Sequence, residues 1–259
     1  MLLSICIPTY NRLGYLKDLL ASLLPQISGA LAEHVELCVS DNHSTDGTTA
    51  YLASLAQQGV RCWTNVRNVG GDRNFLVCIQ HARGEYVWLI GDDEIVPSDA
   101  VSRVVEILRA ARPGLLISCD SANQATYYPD YRAAVLAQPI AFPLRHTLIS
   151  CNVFGRTLFD LEFAERKVSL NYAHMFGLMQ NLVGHSVMVA APFVQVRPVR
   201  AQFATFPSWL CVKQAIYLNS LIRLYRLPGR YRLYAVRLAC NLPLEYLSRL
   251  KNLILRRGR

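Results

Sequence analysis

Four short runs of this chain are nearly unbroken in apolar residues, and each ends on polar ground. LLSICI (residues 2–7) gives way to PTYNR at 8–12, and VELCVS (35–40) to Asp41. YVWLI (86–90) meets Gly91-Asp92-Asp93-Glu94, and LLISCD (115–120) closes on its own acid, Asp120. A strand that is apolar on both sides is covered on both sides, which is the habit of parallel sheets lying between helices. The intervening segments fit that reading. Residues 13–24 place apolar side chains at 16, 19, 20, 23 and 24, the spacing of a helix with one buried face. A helix is expected near 48–57, where Ser44 or Asp46 can cap it, and others over 75–81 and 99–111. VRCWT (60–64) adds another strand, and RNVGGDRN (67–74) a glycine-containing loop. The alternation predicts an α/β fold with a mostly parallel central sheet flanked by helices. In such sheets ligands bind beyond the carboxyl ends of the strands. The polar groups Thr9-Tyr10-Asn11-Arg12, Asp41 and Asp92-Asp93 all fall there.

Three consecutive acids at the mouth of a buried strand pose an electrostatic problem. Adjacent carboxylates repel one another and lose solvation when partly buried. Hard divalent cations, which favour carboxylate oxygens, relieve both penalties. The competing reading is that Asp92, Asp93 and Glu94 cap a helix starting near residues 97–99.

Of all residues, 52% are hydrophobic and 17% charged, enough apolar mass for a substantial core. The eight cysteines form no C-x-x-C pair and sit mostly in apolar runs, which reads as reduced core thiols of a cytoplasmic protein. The opening MLLSICIPTY lacks a basic leader and reads as a strand, not a signal peptide. No uninterrupted apolar stretch is long enough to predict a membrane-spanning helix.

PTYNR at 8–12, SDNHSTDGT at 40–48, NVGGDRN at 68–74 and GEYVWLIGDDE at 84–94, in that order and spacing, resemble glycosyltransferase family 2. Within it, the chain looks most like bacterial enzymes of O-antigen and surface-polysaccharide synthesis, including abequosyltransferase-like members. The resemblance covers roughly residues 1–120. It implies the Rossmann-like GT-A fold and inverting transfer of a sugar from a nucleotide-diphosphate donor to a saccharide or lipid-linked saccharide acceptor. It also implies a divalent ion, Mg or Mn, held by an Asp-x-Asp motif. Such an ion acts as a Lewis acid on the leaving diphosphate. Here Ile90 stands where the first Asp of that motif belongs, and Asp92 matches the second, with Asp93 beside it. Asp92 and Asp93 are therefore the expected metal ligands, and an Asp92-x-Glu94 set is the alternative.

The same resemblance assigns a nucleoside contact to Asp41, whose competing role is a turn or helix cap. Pro8, Thr9 and Tyr10 are expected at the lip against the base, Tyr10 by stacking, with Asn11 and Arg12 following. Asn68, Gly70, Arg73 and Asn74 are expected at the diphosphate and sugar. Gly70 and Gly71 allow backbone shapes closed to other residues. The family's usual Glu-Asp general base is missing. His174 in NYAHMFGLM stands in its region, with an ordinary pKa of about 6.5 that suits a base at neutral pH. A satisfied core histidine is its competing role, and Asp160, Glu162 and Glu165 are reserve bases.

Charge divides the chain. Residues 1–196 hold 14 basic and 17 acidic residues, a net −3, whereas 197–259 hold 13 basic residues and only Glu245, a net +12. Three segments are expected: a nucleotide-sugar-binding half (1–120), an acceptor-binding half (121–205) and a basic amphipathic helical tail (206–259). In the tail Leu244, Leu247, Leu250 and Ile254 share a stripe beside Arg249, Lys251, Arg256 and Arg257. Such a helix lies well on an anionic membrane surface, which predicts a peripheral protein on the inner face of the cytoplasmic membrane. Packing on the catalytic body or on a second subunit is the other use of such helices. No motif for nucleic acid is present, and none is expected as a partner. Ile90 and the absent Glu-Asp pair also leave open a non-catalytic nucleotide-sugar-binding subunit.

Overall fold

The expected strands form, and they pair as their apolar faces require. The computed structural model describes residues 1–120, 122–139, 142–145, 147–168, 172–195 and 208–240. The strands are β1 (Leu3–Thr9), β2 (Val35–Asp41), β3 (Arg61–Thr64), β4 (Tyr86–Leu89), β5 (Leu115–Ser118), β6 (Thr126–Tyr128), β7 (Asn152–Gly155) and β8 (Val187–Ala190). They make one sheet in the order β3-β2-β1-β4-β7-β5-β8-β6. Neighbours within β3-β2-β1-β4 are all parallel. β7 then runs antiparallel between β4 and β5, and β6 runs antiparallel to β8, so the sheet is mixed beyond β4.

Alternation along β1 and β2 sorts the two layers. Leu3, Ile5 and Ile7 of β1 and Val35, Leu37 and Val39 of β2 join one apolar cluster with α1 (Leu13–Leu23), α2 (Thr48–Ala56) and α4 (Ala100–Ala111). The opposite face is covered by α3 (Gly71–His81), which packs on β1, β2 and β4. There Cys6, Cys38 and Cys78 are buried, and the Cys6 Sγ–H donates to the Cys78 carbonyl at 3.6 Å. Burial pushes the Cys78 thiol far above its ordinary range, so that thiol is inert filling.

Helix α3 begins at Gly71, four residues earlier than the periodicity suggests. Gly70, with φ of 87°, turns the chain into it, a conformation that favours glycine. Gly71 carries no positive φ and needs no such freedom.

At the opposite end of the strands, Ser4 Oγ–H and the Arg83 amide donate to Glu36 Oε1, and Arg61 pairs with Glu36 Oε2 at 2.9 Å. These bonds outweigh burial and hold the Glu36 carboxyl below its usual value. Gly84 lies in the same corner. A methyl group on it would stand 2.6 Å from the Ser4 nitrogen and 2.8 Å from the Tyr86 carbonyl oxygen.

The remaining helices are α5 (Tyr131–Ala137), α6 (Phe142–Arg145), α7 (Leu161–Glu165), α8 (Ala173–Met179), α9 (Ser208–Leu224) and α10 (Gly229–Cys240). The chain divides into two units. One comprises Met1–Ala134 and His146–Arg197, and the other Val135–Arg145 and Pro198–Arg259. The basic tail thus shares a unit with 135–145, which the sequence had placed in the acceptor half. In that second unit α9 packs against α10. Tyr217, Leu218, Leu221 and Tyr231 are buried, and the Tyr231 hydroxyl donates to the Val135 carbonyl at 2.9 Å. Arg223, Leu224, Arg226, Arg230 and Arg232 are exposed around the α9–α10 turn. The leucine stripe expected at 244–254 lies outside the described residues. No helix of the described residues is long and apolar enough to cross a membrane.

Candidate active site

The connectivity makes one crevice special. From β1 the chain winds outward through β2 to β3, then returns by α3 to β4 on the other side of β1. Such a switch point parts the loops that leave two neighbouring strands, and ligands bind in the gap. β1 stays paired with β2 through Thr9 and Asp41, but its last partner in β4 is Leu89, opposite Cys6. Pro8, which has no amide hydrogen, falls in the part of β1 that outruns β4.

Two expected motifs meet in this gap. The Thr9 hydroxyl donates to Asp92 Oδ2 at 2.8 Å. One Arg12 nitrogen, Nη1, donates to Asp92 Oδ1 at 3.1 Å and to Asp93 Oδ2 at 2.9 Å. The side chain of Asp92 is 6% exposed, that of Asp93 30% and that of Arg12 46%. Burial raises the Asp92 carboxyl above its ordinary range, although Thr9 and Arg12 pull the other way. Burial also works against the Arg12 charge, but the two carboxylates outweigh it and raise the guanidinium pKa. The acids therefore cap no helix. Asp99 occupies the position before α4 and makes no capping bond there.

Whether this donor set suits a divalent ion can be judged from its geometry. Asp92 Oδ1 and Asp93 Oδ2 already converge on one positive nitrogen, as two ligands of one cation do. Among the described residues no three His, Cys, Asp or Glu side chains converge as a metal-ligand set. The pair thus fits an ion of the Mg or Mn kind, which keeps waters and takes phosphate oxygens to complete its shell. Ile90, at the position of the absent first acid, is fully buried in the core.

The nucleoside side of the gap is a web of internal bonds. Asp41 is fully buried. Its Oδ1 accepts from the Ser44 amide at 3.0 Å and its Oδ2 from the Thr49 hydroxyl at 2.7 Å. In this conformation the carboxylate shapes the 41–49 loop, the turn role that competes with nucleoside contact. Asn11 has a φ of 52°. Its amide donates to Ser44 Oγ, and its Oδ1 accepts from the Thr45 amide at 2.7 Å. Asp46 ties the starts of α1 and α2 together, accepting from the Leu13 and Thr48 amides. Tyr10 remains 43% exposed at the rim.

Asn74 is buried too, with every amide valence engaged. Its Oδ1 accepts from Ser40 Oγ and Asn65 Nδ2, and its Nδ2 donates to the Ser40 and Thr9 carbonyls. It staples β1 to β2 in this conformation, where donor-sugar contact was expected. Asn68 accepts from Asn42 Nδ2 and the Gly70 amide, bracing the turn before α3. Asn42 and Asn65 complete this amide chain. Neither was singled out in the sequence, where they follow two different strands, β2 and β3, 23 positions apart. Arg73 is exposed and pairs with Glu165 at 2.6 Å. The reserve bases are all engaged: Glu165 with Arg73, Glu162 with Arg166, and Asp160 as the cap of α7 through the Phe163 amide.

His174 opens α8, buried between the rings of Phe75 and Tyr172. Its Nε2 lies 2.8 Å from the Thr147 carbonyl, which can only accept. Nε2 therefore carries the proton, and Nδ1 keeps its lone pair with no hydrogen-bond partner. Burial lowers the ring pKa to about 4 against the carbonyl's opposing effect. A stability consequence follows with a definite sign. Above about pH 6.5 the ring is neutral in both folded and unfolded chains. Between about 6.5 and 4 only the unfolded chain takes up the proton, so acidification costs the folded state up to about 3 kcal/mol. Urea unfolding of wild type and His174→Asn from pH 7.5 to 4.5 should show wild type losing its advantage as pH falls. Parallel curves would contradict the assignment.

Glu94 belongs to the alternative ligand set, Asp92-x-Glu94. It is buried, its Oε1 accepts from the Ser150 hydroxyl at 2.8 Å, and its Oε2 has no partner. Burial pushes the carboxyl up to about 7, opposed by Ser150. Ser150 lies in the turn before β7 and also receives the Trp88 indole N–H on its carbonyl. No local sequence pattern linked Glu94 to a residue 56 positions away.

A switch-point crevice with paired acids at its mouth is where an open α/β sheet binds a ligand, and comparison with known families narrows the class. Residues 4–166 match the model of glycosyl transferase family 2, and the chain belongs to that family. Abequosyltransferase RfbV of Salmonella typhimurium is 40% identical over 105 residues, 39% of this chain and 31% of that protein's length. Among solved structures, S. aureus TarS 1-349 in complex with UDP-GlcNAc superposes with a TM-score of 0.62 at 15% identity, covering 92% of this chain and 70% of that one. Mannosyltransferase PcManGT from Pyrobaculum calidifontis, in complex with GDP-Man and Mn2+, gives 0.59 at 17% identity, over 92% and 68%. These likenesses establish the GT-A fold. The chain spans 31% of RfbV's length and 57% of that of a Rickettsia typhi protein it also resembles, uncharacterized glycosyltransferase RT0329.

Proposed function

We propose that the crevice between β1 and β4 takes a nucleotide-diphosphate sugar and transfers its sugar, with inversion, to a saccharide or lipid-linked saccharide acceptor. The observation that carries this reading is the meeting of Thr9 and Arg12 with Asp92 and Asp93 at the switch point. Asp92 and Asp93 would hold a Mg or Mn ion, which when bound neutralises charge developing on the leaving diphosphate. RfbV, a named abequosyltransferase, supports a place in bacterial surface-polysaccharide synthesis.

The chain's own groups divide the remaining work. Tyr10, exposed at the rim, offers a ring for the base. Asn11, Asp41, Asn68, Gly70 and Asn74 keep the nucleoside and phosphate loops in shape, and Arg73 at the start of α3 offers a positive charge toward the donor. The reaction is a single displacement. The acceptor oxygen bonds to the anomeric carbon as the bond from that carbon to phosphate oxygen breaks, and the diphosphate leaves with the electron pair. The acceptor's hydroxyl proton passes to a base, for which His174 Nδ1 offers a free lone pair and a fixed tautomer, although burial lowers the ring pKa to about 4 and makes it a weaker base than the sequence suggested. Its deep burial means that substrate binding must open the way to it.

The basic tail, 206–259, would hold the enzyme peripherally on the inner face of the cytoplasmic membrane. Exposed Arg223, Arg226, Arg230 and Arg232 support this, with no acid among the described residues of their unit. Each contributes on the order of 1 kcal/mol near anionic lipid. The test is incubation with UDP-, GDP-, CDP- and dTDP-sugars plus Mn2+, following release of nucleoside diphosphate in the presence of membrane extract. One donor class should be consumed, and consumption of none would count against the reading.

A further inference from the structure

We infer that Arg12 is the resident counter-ion of the crevice and yields Asp92 and Asp93 to a divalent metal only when a diphosphate draws it away, so that metal and donor bind together. This rests on the metal-assisted reading above and deepens it.

The geometry leaves a metal little choice of approach. Asp92 Oδ2 is taken by the Thr9 hydroxyl at 2.8 Å, so Oδ1 is the open oxygen, and Arg12 Nη1 stands 3.1 Å from it. The same nitrogen lies 2.9 Å from Asp93 Oδ2. A divalent ion held by these two oxygens would compete with the guanidinium nitrogen that both now share.

Two features keep Arg12 in place in the free protein and still let it leave. Asp92 is nearly buried, and a buried carboxylate stripped of its counter-charge is costly. Yet the Arg12 side chain is 46% exposed and its backbone precedes α1 outside helical geometry, at φ −138° and ψ 41°. A dication arriving alone meets a like charge at close range and offers the guanidinium nothing. A dication arriving with a nucleoside diphosphate brings the anion to which a planar guanidinium binds bidentately. The coupling is mutual, since whatever the diphosphate does for metal affinity the metal does for the diphosphate.

The experiment is Mn2+ titration followed by the paramagnetic resonance signal of free ion, with nucleotide-only blanks. Wild type, Arg12→Gln, Arg12→Lys and Asp92→Asn are each measured alone and with UDP, GDP, CDP or dTDP. Wild type should bind Mn2+ weakly alone and at least about ten-fold more tightly with one diphosphate. Arg12→Gln should bind Mn2+ alone at least about ten-fold more tightly than wild type and gain less from the nucleotide. Arg12→Lys, which keeps the charge but loses the planar fork, should match wild type for Mn2+ alone and gain less than wild type from the nucleotide, a split that a merely structural role would not produce. If Arg12→Gln matches wild type without nucleotide while Asp92→Asn loses Mn2+, the counter-ion role is overturned and the metal reading stands. If no protein binds Mn2+ with any diphosphate, both fall.

Discussion

Asp92→Asn should lower donor turnover by at least about a hundred-fold at saturating Mn2+, since charge stabilisation of a leaving diphosphate is worth several kcal/mol. The amide keeps the carboxylate's shape and can still accept from Thr9, so the fold should survive with a near-normal melting temperature. What disappears is the negative charge that Arg12 neutralises in the free protein and that the ion would meet in the loaded one. Asp93→Asn should cost less, because that side chain is 30% exposed and that of Asp92 only 6%. Steady-state release of nucleoside diphosphate, with folding checked by circular dichroism, measures both. An Asp92→Asn enzyme with near wild-type turnover would remove the acids from the chemistry.

The second large effect concerns folding. Gly84→Ala should destabilise the protein by at least ~3 kcal/mol, the upper part of the range for overpacking. The added carbon would meet the backbone of β1 at the Ser4 nitrogen and the backbone of β4 at the Tyr86 oxygen, 2.6 and 2.8 Å away. No flexible side-chain end is there to swing aside, and the Gly84 amide already donates to Ser4 Oγ at 2.8 Å. For a chain of this size the loss corresponds to a melting temperature lower by roughly 6–12 °C. Gly70→Ala should act more mildly, through its positive φ alone, since nothing stands near its missing side chain. Differential scanning calorimetry of the two variants separates close approach from backbone strain.

The parallel half of this fold was legible because apolar runs and helical spacing are local signals. β1, β2 and β4 begin and end within about two residues of the runs that announced them, and the polar mouths of those runs gather where parallel topology requires. β7 was not legible. Val153 and Phe154 lie in a stretch without helical or alternating rhythm, and what makes them a strand is the open edge of β4, where they pair with Trp88 and Val87. At the site, sequence identified groups that sit on strand mouths, such as Thr9, Arg12, Asp92 and Asp93. It could not assign orientation. Asn74 and Asp41 were expected at the donor, but the structure turns both inward onto neighbouring backbone, side-chain amide and hydroxyl groups. Glu94 needed Ser150, and His174 needed Thr147, before either had an environment to argue from.

The central claim is that a nucleoside diphosphate binds at the switch point through a divalent ion on Asp92. Calorimetric titration with UDP, GDP, CDP and dTDP, with and without Mn2+, on wild type and Asp92→Asn, tests it most directly. The account requires one preferred diphosphate whose tight binding needs both the ion and Asp92. Diphosphate binding that is indifferent to Mn2+ and to Asp92 would contradict it.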